Sequence, residues 1–395
     1  MKKVLITCLA VFATAGIAFG QGLTIWTTFG DQTLEWLQAE AASFSSAFGV
    51  PTSVVKLDLG ELKQQALLAA PQGQAGDLFV GVPQDQVAEF ALGGVAADMR
   101  SFATSDYLSD LSEQARLAYT FQGNLVGLPM FVEGPALIVN NDLVDAVPAT
   151  YEELISLAQS LTTDDTFGFM FDAPNFYFAY GWINTFGGYV FGSDASGSLV
   201  AADVGIGTEG AVAGAQAIKD LQYAHGLIPA GTNYDVANGL FIDGALAMIY
   251  NGPWAISQYQ AAGLDVSVHP MPPLANGTEW SGFMGVQGVL LNPFSTRRAD
   301  AANFAKWITR TDAQVSMANL SGRIPASLTA LAQVEDDPFI SSFGAALLDS
   351  EPMPNLPQMG NVWGPAGSAL SVILESADSD VGAAMQRAAD EIQGN

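Results

Sequence analysis

From residue 22 onward, short apolar runs alternate with stretches whose apolar residues recur every three or four positions. The first run, residues 22–29, predicts a strand. Leu34, Leu37, Ala41, Phe44 and Phe48 then line one face of a helix over 32–48. A strand over 53–58, a helix over 61–70 and a buried strand over 78–82 follow. The next helix, over 84–92, is stopped by Gly93 and Gly94. The same pattern returns further on, with strands predicted over 136–140, 167–171, 245–250 and 283–291. Thr150 and Glu153 form a capping box that opens a helix reaching Leu161. A long helix spans 208–223, Pro253 takes the first position of another, and helices dominate from Arg298. Strands alternating with helices predict α/β layering on a parallel sheet. Gly127, Pro129 and Gly134 predict a bend between two apolar elements over 127–134.

The segment before this pattern has a different character. Lys2 and Lys3 precede an apolar run over 4–17, and Ala18, Phe19 and Gly20 supply small residues at the positions a signal peptidase reads. This predicts a secretory leader over 1–20, cleaved before Gln21, and hence a protein working in the periplasm or cell envelope. The one cysteine, Cys8, falls inside the leader near its start, where it cannot serve as a lipid anchor. A mature chain without thiols has no disulfide, redox or cysteine-metal chemistry.

The remaining length suffices for two domains with their own cores. Loss of the leader leaves 11 of the 13 basic residues against 40 acidic ones, a formal charge of −29 rather than −27. Charged residues are nevertheless only 13% of the chain, about half the usual share. The imbalance lies in missing Lys and Arg. Such a surface repels nucleic acid and anionic lipid and disfavours phosphorylated or carboxylated ligands. A neutral ligand fits best, although acidity serving solubility or a saline habitat would look the same.

Enzyme chemistry finds little support. His225 and His269 are the only histidines, and neither has a second histidine at ligand spacing. There is no glycine-rich phosphate loop. Forty carboxylates leave glycoside hydrolysis open on counting alone. Aromatic residues carry more information: the stretch 172–191 holds eight among twenty. Trp254 follows Asn251, Gly252 and Pro253 where a strand meets a helix, and Trp363 follows a turn-rich stretch over 353–360. Loops at strand ends are where α/β folds place ligand crevices. Flat rings cover the apolar face of a sugar, and carboxylates and amides bind its hydroxyl rim. For any one of these rings core packing is the better explanation, and the case rests on several together.

Three segments together change the weighing: NGPW (251–254), MPNLPQMGNVW (353–363) and GLPMFVEGPALIVNNDLV (127–144). In collinear order through nearly the whole mature chain, the sequence resembles the maltose/maltodextrin-binding members of extracellular solute-binding family 1. The resemblance implies a periplasmic binding protein-like α/β fold, with two lobes joined by a multi-segment hinge. Residues 21–131 plus 287–336 would form the N-terminal lobe, and 132–286 plus 337–395 the C-terminal lobe. A neutral mono- or oligosaccharide would bind between them, for delivery to an ATP-binding-cassette importer by a monomer without cofactor or metal.

Residue by residue, the resemblance makes Asp31, Asp85 and Glu133 acceptors for sugar hydroxyls and Tyr177, Trp254 and Trp363 stacking platforms. Asn175 stands where the relatives have an acidic neighbour of the tyrosine. Other positions depart as well: Gly81 and Val82 replace an expected tryptophan, Gln32 a lysine, Gln86 an arginine, Gly364 a tyrosine and Gly367 an arginine. The stacking side is kept and the polar N-terminal wall is rebuilt. Another neutral sugar such as trehalose or sucrose therefore competes with maltodextrin, as does a secreted glycoside hydrolase. A peptide or amino-acid binder would require a cleft arginine for a carboxylate, and none falls within these motifs.

Overall fold

The computed structural model describes residues 22–394; the predicted leader and Cys8 lie outside the described residues. The chain first lays down β1 (Leu23–Thr27), β2 (Thr52–Lys56) and β3 (Leu78–Pro83) as a parallel set, with Leu23 beside Thr52 and Ile25 beside Leu78. Every residue of β3 is buried, as expected where helices cover both faces of a sheet. The helix Asp31–Phe48 covers one face through Trp36, Leu37, Ala41 and Phe44. A fourth strand, β4 (Leu128–Glu133), joins this sheet and is likewise buried throughout.

The chain then changes sheets. β5 (Ala136–Asn140), β6 (Phe167–Met170), β7 (Leu246–Asn251) and β8 (Val266–His269) form a second sheet in the order β8-β5-β7-β6. β7 is parallel to β6, and β5 is antiparallel to both its neighbours. Its core is strongly aromatic: Phe171 stacks on Trp182 at 4.0 Å between ring centres, and Trp280 meets Trp182 edge-on at 4.7 Å.

A return crossing brings in β9 (Phe283–Leu291), which inserts between β3 and β4 and runs antiparallel to both. β10 (Ile324–Pro325) extends the sheet beyond β4, and β11 (Glu351–Pro352) pairs with the start of β9. The predicted all-parallel sheet is therefore corrected to a mixed one. β9 enters from the second sheet, so it starts at the end where β3 and β4 finish. The predicted bend over 127–134 is corrected too. Residues 128–133 are strand with a register shift between Phe131 and Pro129, and Pro129 lies opposite Gly288 at that irregularity, where a missing N–H is tolerated. The chain leaves the first sheet through Gly134 and Pro135, which link β4 to β5. The expected divisions after Phe131 and before Gln287 fall inside β4 and β9 rather than between elements.

Gly134 is confined at this crossing. A side-chain carbon there would lie 2.7 Å from the Phe283 carbonyl oxygen and 2.4 Å from Leu347 Cδ2. Leucine can move and the backbone carbonyl cannot. Gly134→Ala is expected to destabilise the protein by about 1–3 kcal/mol, read as a lower urea midpoint at unchanged slope; equal midpoints would show that the crossing accommodates the methyl.

Candidate functional site

The strand ends and helix starts next to the crossings surround a cavity of about 670 Å³. From the first sheet, Pro83 ends β3 and the chain enters the helix Gln84–Leu92, placing Asp85 in its first turn. Asp85 is buried, with 5% exposure. That burial pushes its carboxyl up to about 6, while a hydrogen bond from Trp363 Nε1 (3.0 Å) and the charge of Lys63 hold it down. Lys63 is shared with Glu89, 2.8 Å away. The neighbouring Gln84 donates through Nε2 to the Met353 carbonyl at 2.7 Å, a second tie between the first sheet and the segment leading to Trp363.

The opposite wall is aromatic. Asn175 caps the helix Phe176–Thr185, accepting from the Tyr177 amide at 3.1 Å and donating to Asp172 at 3.0 Å. This turns Tyr177 toward the cavity, where its ring lies 6.2 Å from that of Trp254. Burial raises the Tyr177 hydroxyl pKa, so it remains a neutral donor and acceptor. Trp254 stands on a 3₁₀ turn directly after β7. The buried Asn251 shapes that turn by donating to Tyr259 Oη at 2.9 Å and accepting from the Gly252 amide at 2.8 Å. Trp363 opens the helix Trp363–Glu375 and is anchored by the fully buried Met359 and Val362 before it. Its ring meets those of Phe176 and Phe283 at 6.1 and 6.0 Å.

Glu133, the last residue of β4, lies at the junction of the two halves with 6% exposure. Gln287 of β9 donates to its Oε1, and Arg323 forms an ion pair with its Oε2. Six residues singled out by the sequence therefore line one cavity: Asp85, Glu133, Asn175, Tyr177, Trp254 and Trp363. Asp31 does not join them. It lines a smaller pocket of about 150 Å³ on the other side of Trp254 and accepts from Gln258 Nε2 at 3.1 Å.

Sequence reasoning missed Arg323 and Gln287. No arginine falls within the three motifs, but Arg323, outside them, is 9% exposed and lines the cavity. It comes from the short link between the helix Thr311–Ser321 and β10, and Gly322 makes the turn with a φ of 68°. Burial lowers its pKa to about 10, with the charge of Asp31 opposing, so it stays protonated at neutral pH. Its charge is matched by Glu133, and that of Lys63, the other cation lining the cavity, by Glu89. The signal for Gln287 was present, because it is the lone polar side chain in the apolar run FMGVQGVLL. Nothing local marked Arg323.

Known proteins agree with this architecture. The model of the bacterial extracellular solute-binding protein family matches residues 39–341. A Thermus thermophilus maltotriose binding protein, solved with maltotriose bound, superposes with a TM-score of 0.91 at 42% identity, covering 94% of this chain and 99% of that one. The galactooligosaccharide-binding protein of Bacillus subtilis (strain 168) is 28% identical over 387 residues, covering 95% of this chain and 89% of that protein. The maltotriose-binding protein of Pyrococcus abyssi (strain GE5 / Orsay) is 27% identical over 382 residues, covering 94% and 82%. With two separate sheets between which the chain crosses, and a ring-lined cavity beside the crossing, the chain belongs to the bacterial extracellular solute-binding protein family.

Proposed function

We propose that this protein binds a maltodextrin-type oligosaccharide in the cavity at the junction of its two sheets and delivers it to an ATP-binding-cassette importer. The observation that carries the reading is convergence: Tyr177, Trp254 and Trp363 share one cavity with Asp85 and Glu133. Rings offer apolar faces to the C–H surface of pyranose units. Asp85 and Glu133 accept from hydroxyls, and charge-assisted bonds of this kind contribute about 1.5–3 kcal/mol each. Asp31, across Trp254, would meet a sugar unit extending past that ring. Maltotriose appears in the names of the Thermus and Pyrococcus relatives, and this supports an α-glucan. The Bacillus relative named for galactooligosaccharide supports the same scaffold holding a different linkage.

The protein works as a monomer outside the cytoplasm and binds without cleaving. Contacts from both lobes favour a closed form in proportion to the ligand's differential affinity for it. Closure then gives the importer a shape to read. Incubation with maltotriose followed by chromatography is expected to return maltotriose alone; accumulation of smaller sugars would establish a hydrolase instead.

A thermal-shift panel of maltose, maltotriose, trehalose, sucrose and a galactooligosaccharide tests the ligand class. Maltotriose is expected to give the largest rise, since a ligand at a hundredfold its Kd adds about 2.7 kcal/mol. Trp254→Ala and Trp363→Ala are each expected to weaken maltotriose at least tenfold in calorimetry while far-ultraviolet dichroism is kept. Unchanged affinity in both would remove the stacking assignment.

Asp85 yields a prediction with a definite sign. Its folded pKa, about 6, lies above the ordinary 3.8. Protonation therefore favours the fold: the contribution is complete below about pH 3.8 and is lost as pH rises through 6. Above that, the buried charge opposes folding by about 3 kcal/mol. Asp85→Asn keeps an acceptor for Trp363 and removes the charge. It is expected to raise urea stability at pH 7.5 by up to that amount, to leave it unchanged at pH 3.5, and to weaken maltotriose about tenfold or more. Equal stability of the two proteins at pH 7.5 would count against a buried carboxylate in the empty cavity.

A further inference from the structure

Arg323 is the one cationic side chain with strong burial among those lining the main cavity, and it also lines the smaller pocket beyond Trp254. Its guanidinium carbon lies 5.0 Å from the centre of the Phe131 ring and 5.8 Å from that of Trp254. Only part of its donor set is committed. Nη1 faces Glu133 Oε2 in the ion pair, and neither of these two buried atoms nor the buried Nε makes a hydrogen bond among the described residues. A guanidinium carries five N–H donors and no acceptor. A buried donor left without a partner is unfavourable, so this position calls for an acceptor atom supplied by something that enters the cavity. Glu133 already balances the charge, so that acceptor is most favourable on an uncharged molecule.

We propose that Arg323 is a specificity-determining ligand contact: its Nε–H donates to one oxygen of a sugar unit packed on Trp254, while Glu133 accepts from the neighbouring hydroxyl. This rests on the saccharide reading above. Glu133 and Arg323 then act as a fixed acceptor and donor side by side, set by their ion pair and by Gln287 on the far oxygen of Glu133. Such a pair reads two adjacent oxygens of one ring, one of which must accept and the other donate. A sugar lacking either oxygen leaves one partner buried and unsatisfied, which is the strong form of discrimination. Lysine cannot replace arginine here. Its single ammonium can answer Glu133 but has no second donor at the Nε position.

The test uses the full mature chain, maltotriose and its monodeoxy analogues in titration calorimetry. Wild-type protein is expected to bind maltotriose and to lose at least tenfold for one deoxy analogue at the unit beside Trp254. R323K is expected to bind maltotriose at least tenfold more weakly at an unchanged melting temperature, and that same deoxy substitution should then cost less than twofold. Where R323K fails to fold, R323Q, which keeps a side-chain N–H donor without the charge, is read in the same way. Wild-type protein that binds no saccharide removes the reading beneath this proposal. Saccharide binding by wild type with R323K within twofold of it, or with an undiminished deoxy penalty in R323K, overturns the Arg323 assignment alone.

Discussion

The antiparallel pairing of β4 with β9 is the constraint on which the rest of this structure depends. Both strands enter or leave the first sheet at the place where the chain crosses to the second, and their ladder puts Glu133 beside Gly285 and Phe131 beside Gln287. The polar centre of the site is thus written into strand register. A slip of β4 by one residue against β9 would turn Glu133 to the face opposite Gln287 and break their contact. Gly134 adds a steric condition to the same point, because the crossing passes too close to Phe283 for a side chain. The cavity forms where two sheets, each with its own packed core, meet at the crossing segments.

That division explains which parts of the molecule could be read from its sequence. Strand and helix positions were legible where a strand is buried on both faces, and β3, β5 and β7 are accordingly largely apolar runs; β4, interrupted by Pro129 and ended by Glu133, read as a bend. Strand direction was not legible. β9 looks like any other buried strand, and only its partners reveal that it runs against β3 and β4. Trp254 and Trp363 were legible for a local reason: each follows a turn fixed by proline, and each stands at the start of a helix. Arg323 was hidden because its partner, Glu133, is far away in sequence and the two meet only through β10 pairing with β4. The resemblance pointed to Gln86 and Gly367 as the places to look for arginine, and the cavity takes its guanidinium from a third.

Charge within the cavity follows a different logic from charge on the surface. The whole chain is strongly acidic, at −27 over its full length, yet the buried groups are arranged so that little net charge faces the ligand. Glu133 is matched by Arg323, and Lys63 stands between Asp85 and Glu89. The rim of a sugar requires both donors and acceptors and carries no charge of its own. A balanced lining meets that requirement, whereas an uncompensated cation would draw carboxylates and phosphates.

Asp85 is the point at which this balance is left incomplete, and the incompleteness has a use. Its first-turn helix position and the Trp363 hydrogen bond offset only part of the burial, so the carboxyl remains near 6. A group held in that condition gains more from an added donor than one already satisfied, because each new hydrogen bond relieves a standing desolvation. The Trp363 bond also links the two walls directly, so a hydroxyl placed between Asp85 and the tryptophan face would act on both at once. Strain of this modest size, held at Asp85 and at the unpartnered polar atoms of the Glu133–Arg323 pair, is the means by which a cavity of this kind converts a weak polar ligand into a selective one. Filling either position with a better internal partner would stabilise the empty protein and dull its discrimination.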